Sequence, residues 1–340
     1  PISLIEESLE KNNQQLAFEP IDFGYLKDSK SNKGTAAGQL SCNFSGSRRF
    51  KVGSLRDHIL GFRGVNGKGD IIKSGGTVVK NVTGYDLSKL VTGSFGTLTA
   101  LTEITFKVLP KKDSISTLVI YSEDNKVITD LFDQLLSSSN EISGAVYIPA
   151  EPNNKNYTKN IEKIFKFNNL KSEEPFVAVR IEGSKKSIDE RIQDISQELQ
   201  TNKMKTSILD FYQSKLFWEK INNLELFSGT KNNLLRAVIP PAESLNLMKY
   251  LKNNFKYYID WCGSLFWIEV LEEENIQIKE MKETIINLGG YLTIVKKSES
   301  LSSDIDLFTV NDTRLLLSQK IKKSFDPKKL LNPGKMYRDL

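Results

Sequence analysis

The residues in this sequence that are best suited to bind a cofactor are glycines that stand close together among serines and threonines. Gly93 and Gly96 are three positions apart in front of Thr97, a spacing that predicts a tight corner before a strand. Because glycine has no Cβ, such a corner can bring bare N–H groups close to an anion or a planar ring. An earlier segment combines the same residue types: Gly34, Thr35, Gly38, Ser45, Gly46 and Ser47. Two glycine-rich turns in a twisted sheet are the alternative explanation.

Groups for acid–base catalysis and for holding a carboxylate are scarce. His58 is the single histidine, and its place after Asp57 in LRDHILG is more typical of a turn or packing residue than of a general base. Arg180 and Arg236 each fall in a predicted strand, where a planar guanidinium can pair with a substrate carboxylate or with a neighbouring acidic side chain. The sequence therefore predicts no catalytic residue with certainty, and it predicts no metal site.

Composition excludes several classes of protein. The chain has 340 residues, of which 39% are hydrophobic and 26% charged, and these values suit a globular protein of two domains. Its apolar runs are too short for a membrane span, and a net charge of +5 without a dense basic tract argues against nucleic acid as a partner. Cys42 and Cys262 form no CxxC pattern, which supports neither an iron–sulfur cluster nor a disulfide framework. We expect a cytoplasmic protein.

Short elements within residues 1–110 position the glycines. A hairpin that turns at Asn66-Gly67 is predicted over Gly61–Gly76, and Val78–Tyr85 connects it to a short helix that Asp86 caps and that ends at Gly93. A strand from Thr97 to Pro110 follows. Its apolar residues are predicted to point largely to one side: Leu98, Ala100, Ile104, Phe106 and Val108.

Strand and helix patterns alternate beyond Lys112 and build two similar α/β units, which predicts one antiparallel sheet covered by helices. The predicted strands are Leu118–Tyr121, Gly144–Ile148, Phe176–Glu182, Thr206–Leu209, Leu234–Ile239, Tyr257–Cys262, Leu265–Val270 and Tyr291–Val295. The predicted helices are Lys126–Leu136, Ser187–Leu199, Leu216–Leu226, Ser244–Leu251, Asn275–Leu288 and Asn311–Asp326. Pro149–Glu174, which is rich in Asn and Lys, is predicted to be an insertion or an irregular loop.

Two separated blocks of sequence resemble a known family. GTAAGQLSCNFSGSRR with VVKNVTGYDLSKLVTGSFGTLTALTEITFKVLP, and FDPKKLLNPGKMY near the end, resemble the vanillyl-alcohol-oxidase-type FAD-linked oxidases, and among them the FAD-binding subunits of bacterial glycolate oxidases. The resemblance is dense over Gly34–Pro110 and Phe325–Tyr337 and thin between them. It implies an α+β fold with the second part of a PCMH-type FAD-binding domain (1–110), an α/β cap domain (111–324) and a tail (325–340) that packs back on the FAD domain.

The resemblance implies FAD as the cofactor and places thirteen residues near it. The positions that it implies are Gly34, Thr35, Gly38, Asn43, Ser45, Gly46 and Ser47, with Gly93, Ser94, Gly96 and Thr97 nearby and Asn332 and Gly334 from the tail. Small residues and hydroxyl groups suit this role because the flavin ring system is broad, and they can donate hydrogen bonds to it without occupying much space. Phe95 stands where many relatives have an acidic residue, a difference that is common in this type of subunit.

The family's glycine-rich pyrophosphate loop precedes the part that the start of this chain resembles. The sequence opens with an amphipathic helix over Leu4–Leu9 and the extended stretch LAFEP, without such a loop. We expect the chain to be the C-terminal portion of a longer protein rather than one that has lost half of a flavin domain. FAD binding by this chain alone is then expected to be weak.

Three functions stay open. The first is an FAD-binding subunit of a glycolate oxidase or dehydrogenase, which converts glycolate to glyoxylate with a D-type flavoprotein subunit and an iron–sulfur subunit and is compatible with peripheral association at the inner membrane. The second is a self-sufficient FAD-dependent 2-hydroxy-acid oxidoreductase that uses Arg and Tyr side chains of the cap. The third is a non-catalytic scaffold that has lost its flavin. The shortage of histidines favours the first.

Overall fold

The chain forms two compact units in a computed structural model that describes residues 1–27, 33–77, 84–151, 157, 160–201, 204–252 and 254–337. Unit 1 comprises Pro1–Asp22, Asn32–Lys111 and Asp306–Leu340, and unit 2 comprises Phe23–Ser31 and Lys112–Ile305. Much of the predicted connector Val78–Tyr85 and part of Pro149–Glu174 lie outside the described residues. The domain boundaries drawn from the sequence stay a prediction.

The secondary structure follows the predicted order. The helices are α1 (Ile2–Glu10), α2 (Ala36–Cys42), α3 (Arg49–Val52), α4 (Leu87–Val91), α5 (Asn125–Ser137), α6 (Ile161–Ile164), α7 (Lys185–Thr201), α8 (Phe211–Asn222), α9 (Ser244–Leu251), α10 (Asn275–Asn287) and α11 (Asp312–Phe325). The strands are β1 (Gln14–Gln15), β2 (Ile59–Asn66), β3 (Ile71–Gly75), β4 (Thr99–Phe106), β5 (Leu109–Pro110), β6 (Ser114–Tyr121), β7 (Gly144–Ile148), β8 (Phe176–Gly183), β9 (Lys205–Leu209), β10 (Asn233–Val238), β11 (Lys256–Asp260), β12 (Leu265–Val270) and β13 (Tyr291–Lys296).

Unit 1 contains an antiparallel sheet in the order β3-β2-β4 and a small β1-β5 pair. The predicted hairpin is confirmed as β2 and β3, but its turn differs from a two-residue loop at Asn66-Gly67. The loop spans Gly67 to Asp70, and the Asn66 Oδ1 accepts hydrogen bonds from the N–H groups of Lys68 and Asp70, each at 2.9 Å. The positive φ of +90° falls on Gly69, because this asparagine-capped loop reverses the chain there.

A β-bulge in β4 overturns part of the predicted side-chain pattern. Arg63 pairs with Glu103 while the next residue, Gly64, pairs with Leu101, so Thr102 is an extra residue in the ladder. The bulge shifts the alternation by one position. Leu101 therefore packs against the core together with Ile104, Phe106 and Val108, and the prediction that Ala100 points to the same side was wrong because Ala100 is exposed.

The core of unit 1 joins the first helix to the glycine-rich segments. The predicted amphipathic helix is confirmed as α1, which buries Ile2 and packs Ile5 and Leu9 against the core. The buried members of the core come from α1, α2, α4, β2 and the connections between them: Ile2, Leu16, Phe18, Leu40, Leu55, Ile59, Phe62 and Val91. This core fixes α2 and α4, whose ends carry the residues of the candidate site.

Unit 2 contains one antiparallel sheet in the order β13-β10-β12-β11-β7-β8-β6-β9. Its two halves, β6–β9 and β10–β13, meet where Ile259 of β11 pairs with Tyr147 of β7. Helices pack on the strands of each half, α7 on β6 and β8, and α10 on β13. The predicted antiparallel sheet built from two α/β units is therefore confirmed.

The segment predicted to be irregular, Pro149–Glu174, contains more structure than its composition indicates. It includes α6, and it buries Tyr157, Ile161 and Phe165 in unit 2. The ring of Phe165 lies 4.8 Å from that of Phe217 in α8. Aromatic packing onto α8 thus orders a stretch whose polar residues gave no helical or strand period.

Candidate cofactor site

The predicted corner is present in unit 1, and residues Gly93–Thr97 are called the glycine corner here. Asp86 caps α4 by accepting a hydrogen bond from the Lys89 N–H at 3.2 Å. After α4 the backbone takes positive φ values of +82°, +54° and +69° at Gly93, Phe95 and Gly96. This alternation folds the chain back on itself within five residues and leads directly into β4.

The glycine corner packs on the C-terminal end of α2. The N–H of Gly93 donates to the carbonyl of Leu40 at 3.0 Å, and the N–H of Phe95 donates to that of Ser41 at 2.8 Å. Asn43 ends α2 with a φ of +51°, and its Oδ1 accepts a hydrogen bond from the Arg56 N–H at 3.1 Å. The corner thus satisfies carbonyls that α2 would otherwise leave unpaired at its end.

The start of α2 carries three exposed members of the predicted set, Gly34, Thr35 and Gly38. Thr35 caps the helix, because its Oγ1 accepts the Gly38 N–H at 3.1 Å. Gly34 precedes it with a φ of +69°, and a Cβ built on Gly34 would meet no atom within 4 Å. All three residues are exposed, so this end of the helix is open to a ligand.

Ser45, Gly46 and Ser47 lie in the interior of unit 1 and are used by the protein itself. The hydroxyl of Ser45, which is 1% exposed, accepts the Leu55 N–H at 3.0 Å. The N–H of Gly46 donates to the carbonyls of Phe18 and Glu19, at 3.0 and 2.9 Å. These contacts fix the backbone between α2 and α3, and direct flavin contact by the three residues stays a prediction.

The C-terminal tail reaches the glycine corner. The Asn332 side-chain amide donates to the carbonyl oxygen of Phe95 at 2.8 Å, and the Sδ of Met336 lies 4.0 Å from the Thr97 Oγ1. A Cβ built on Gly96 would lie 2.7 Å from the Asn332 amide nitrogen, so only glycine fits this contact without displacement. Gly334 is exposed and has a φ of +69°.

A buried ion pair beneath the tail is a feature that the sequence analysis missed. Lys322 of α11 lies 2.7 Å from Asp326, and the two residues are 3% and 0% exposed. Burial opposes ionisation of this carboxyl, but hydrogen bonds from Lys322 and from the amides of Leu331 and Leu330 lower the pKa of Asp326. The signal in the sequence is a lysine four positions before an Asp-Pro pair that ends a helix.

Ser94 supplies the observation that tests whether a flavin fits here. Its hydroxyl belongs to a residue that is 6% exposed, and it has no hydrogen-bond partner among the described residues. A buried hydroxyl without a partner costs free energy, which a ligand oxygen or nitrogen at the glycine corner would recover. The corner therefore combines a backbone folded by positive φ values at two glycines with a buried hydroxyl that no described residue uses as a hydrogen-bond partner.

The sequence of this chain is similar to those of known glycolate oxidase subunits. No family model matches the chain. It is 28% identical over 342 residues to the glycolate oxidase subunit GlcE of Escherichia coli K12, covering 100% of this chain and 80% of that protein. It is 26% identical over 337 residues to the glycolate oxidase subunit GlcD of Bacillus subtilis, covering 92% of this chain and 70% of that protein.

Solved structures agree with these relatives. The structure of p-cresol methylhydroxylase aligns with a TM-score of 0.66 and 15% identity over 98% of this chain and 74% of that one. The fold is that of the vanillyl-alcohol-oxidase-type flavoproteins. The predicted fold and the predicted similarity to FAD-linked oxidoreductases are therefore confirmed. The chain spans 61% of an alkyldihydroxyacetonephosphate synthase with this fold.

Phe95 of this vanillyl-alcohol-oxidase-type fold lies in a cluster of aromatic rings within unit 1. Its ring centroid is 4.8 Å from that of Phe308 and 6.1 Å from that of Phe44, both in edge-to-face geometry. Phe308 in turn contacts Tyr337 of the tail at 6.1 Å. The apolar residue at this position thus adds an aromatic contact to the polar ones between the glycine corner and the C-terminal part of the chain.

His58 is a packing residue, as its sequence setting indicates. Its Nε2 lies 2.9 Å from the Val52 carbonyl oxygen, and because a carbonyl can only accept, Nε2 carries the proton. Burial lowers the pKa of His58, the hydrogen bond to Val52 opposes this shift, and the charge of Lys107 adds to it. The neutral imidazole lies 6.4 Å from the Phe18 ring in the interior of unit 1.

Arg180 and Arg236 are both buried in unit 2, at 1% and 5% exposure. Arg180 donates to the carbonyl of Ser143 at 2.8 Å, stacks 4.5 Å from the Trp218 ring and lies 3.9 Å from Glu182. This matches the interpretation of a strand arginine that pairs with a neighbouring acid. Arg236 lies 5.0 Å from the Trp261 ring.

Among the described residues, no helix is both long and apolar enough to cross a membrane.

Proposed function

We propose that this chain is the FAD-binding subunit of an enzyme complex that oxidises a 2-hydroxy acid, with glycolate as the substrate to test first. The observation that carries the proposal is the glycine corner, which contacts both α2 and the C-terminal tail and contains a buried Ser94 hydroxyl with no hydrogen-bond partner among the described residues. The similarity to a glycolate oxidase subunit, over 100% of this chain and 80% of that protein, supports the choice of substrate.

The residues that would hold FAD are the exposed start of α2, with Gly34, Thr35 and Gly38, and the glycine corner with Asn43. Bound FAD supplies a two-electron acceptor that these amino acids cannot provide themselves. The turns at Gly93 and Gly96 would shape the backbone that faces the flavin, and the Ser94 hydroxyl would supply a hydrogen bond. Asn332 closes the same corner from the tail, and Gly334 follows it two positions later.

Proton removal from the substrate is assigned to a partner subunit. His58 is the only histidine of the chain, and its proton is donated to Val52 in the interior. Arg180 is held by Ser143 and Trp218. We therefore propose a D-type flavoprotein partner that oxidises the substrate and an iron–sulfur partner that accepts the electrons. A cytoplasmic complex, attached peripherally to the inner membrane, is part of this proposal.

The test is reconstitution of the natural full-length protein, alone and with its two proposed partners. We expect glycolate-dependent reduction of a dye only in the three-subunit preparation, and loss of that activity when this subunit is omitted. Dye reduction by the isolated protein would instead indicate a self-sufficient oxidoreductase. A colourless protein that still joins the complex and restores its activity would indicate a scaffold without flavin.

A further inference from the structure

We propose that Lys322 is a positioning residue, whose ammonium group holds the C-terminal tail against the glycine corner and so sets the shape of the cofactor site. This inference rests on the proposed function in one respect, because it takes the glycine corner to be the flavin contact. Its geometry, however, belongs to unit 1 alone and can be tested without any cofactor.

The ammonium of Lys322 makes three hydrogen bonds to three separate parts of unit 1. It donates to the carbonyl of Thr97 in the glycine corner at 2.8 Å, to the carboxylate of Asp326 at 2.7 Å and to the carbonyl of Leu331 at 2.7 Å. A lysine has three donor hydrogens, so every one of them is used. The corner, the end of α11 and the start of the tail are therefore joined at one nitrogen atom.

Asp326 completes this arrangement from the other side. Its carboxylate accepts the N–H of Leu331 at 2.7 Å and the N–H of Leu330 at 3.0 Å in addition to Lys322. The β2–β3 loop covers it, because the Gly67 N–H donates to the Phe325 carbonyl at 3.0 Å. A Cβ on Gly67 would lie 2.1 Å from the Asp326 Oδ1. The loop can therefore cover Asp326 this closely only because residue 67 is a glycine.

Stability alone is a weak explanation for this buried pair. Burying two charges costs so much desolvation free energy that replacing both with apolar side chains is often neutral or stabilising. An apolar side chain, however, cannot bind the carbonyls of Thr97 and Leu331. Leu331 directly precedes Asn332, whose amide donates to Phe95 of the corner, so the ammonium fixes the backbone on both sides of that contact.

α11 itself offers a matched control. Lys323 is the next residue and carries the same side chain, but it is exposed, whereas Lys322 is buried. Replacing each lysine by methionine keeps a similar chain length and removes the charge. The difference between the two variants therefore isolates the buried ammonium from any general effect of helix charge.

The experiment compares Lys322→Met, Asp326→Asn, the double variant and Lys323→Met. Hydrogen exchange of the FAD-free full-length protein is followed by mass spectrometry, with the strands of unit 2 as an internal reference. We expect Lys322→Met to speed exchange in the corner and the tail by about tenfold, as loss of charge-assisted hydrogen bonds predicts, while unit 2 and Lys323→Met stay unchanged.

The double variant separates positioning from stability. We expect it to unfold closer to the wild-type denaturant midpoint than either single variant, because no charge is left buried alone. In the double variant we expect hydrogen exchange in the corner to stay fast, because the carbonyls of Thr97 and Leu331 remain without the ammonium. For the same reason we expect its FAD affinity to be about tenfold weaker than that of the wild-type protein. If Lys322→Met alone does not fold, the double variant carries the comparison.

Two results would overturn the inference. Exchange that speeds equally in both units would show only global destabilisation, and a double variant that regains slow exchange in the corner would show that Lys322 merely neutralises Asp326. If the wild-type protein binds no FAD but the exchange pattern is as expected, the proposed function fails while the positioning role stands.

Discussion

The side-chain nitrogen of Lys322 lies 2.8 Å from the carbonyl oxygen of Thr97, although 225 positions separate the two residues in the sequence. The same corner receives the Asn332 amide from the tail and packs on the end of α2 through its Gly93 and Phe95 N–H groups. Three distant parts of the chain therefore determine one short turn. The predictions that follow test this dependence.

Gly96→Ala should disturb the corner more than an equivalent change elsewhere. Both Gly96 and Gly69 have positive φ, so alanine costs about 1 kcal/mol of folding free energy at either position. Only at Gly96 would the new Cβ displace the Asn332 amide, since a Cβ on Gly69 meets no atom within 4 Å. We expect FAD affinity to fall about tenfold for Gly96→Ala and to stay unchanged for Gly69→Ala, as measured by fluorescence titration. Equal affinities would contradict the role of this contact.

Ser94→Ala should weaken FAD binding without destabilising the protein. The hydroxyl has no partner among the described residues, so its removal leaves no protein group unpaired. We expect an unchanged or slightly raised unfolding midpoint and an FAD affinity that is weaker by roughly tenfold. Ser88→Ala is the control, because Ser88 is also buried and its hydroxyl likewise lacks a described partner, but it is not a predicted flavin contact. A similar loss of affinity in both variants would remove Ser94 as a specific contact.

His58 should make the protein less stable at mildly acidic pH. Its pKa is lowered from 6.5 in the folded state, so below pH 6.5 the unfolded chain binds a proton that the folded chain does not. The contribution of His58 to stability is therefore fully present above pH 6.5 and is lost as the pH drops toward the folded-state pKa. We expect the single imidazole signal in an NMR titration to have its midpoint below 6.5, and His58→Phe to lose this part of the pH dependence in denaturation experiments. A midpoint at or above 6.5 would contradict the buried neutral form.

Arg180→Met should lower the stability of unit 2. Removing the guanidinium takes away the side-chain donor to the Ser143 carbonyl and the positive charge beside the buried Glu182 carboxylate, and we expect a loss of about 3 kcal/mol in the free energy of unfolding. Arg191→Met is the control, because Arg191 pairs with a Glu141 side chain that is 59% exposed, and it should cost less than about 1 kcal/mol. A stable Arg180→Met variant whose complex has a raised KM for glycolate would assign this arginine to the substrate instead.

Much of the fold could be predicted because it rests on local pattern. Apolar periodicity marked α1 and α5, and the Asp86 cap with Gly93 marked both ends of α4. The β4 bulge could not be predicted, because the extra residue Thr102 is defined only by the register against β2. The order within Pro149–Glu174 likewise depends on Phe165 packing against another element.

The candidate site, like the fold, could be predicted from the sequence only in part. The resemblance pointed to the glycine corner and to Asn332, and the structure brings these two together. The resemblance could not show that Ser45 and Gly46 form hydrogen bonds to other residues of unit 1. Nor could it show that a lysine of α11 is buried beneath the tail. Long-range contacts decide these points, and a lysine looks the same in the sequence whether its helix face is exposed or covered.

The most direct test of the account is the visible absorption spectrum of the purified natural full-length protein after addition of FAD and removal of the unbound cofactor. The account predicts retained flavin bands in the wild-type protein and in Ser88→Ala, and weaker bands in Ser94→Ala and Gly96→Ala. A wild-type protein without flavin bands, or bands of equal strength in all four proteins, would contradict the claim that the glycine corner binds the flavin.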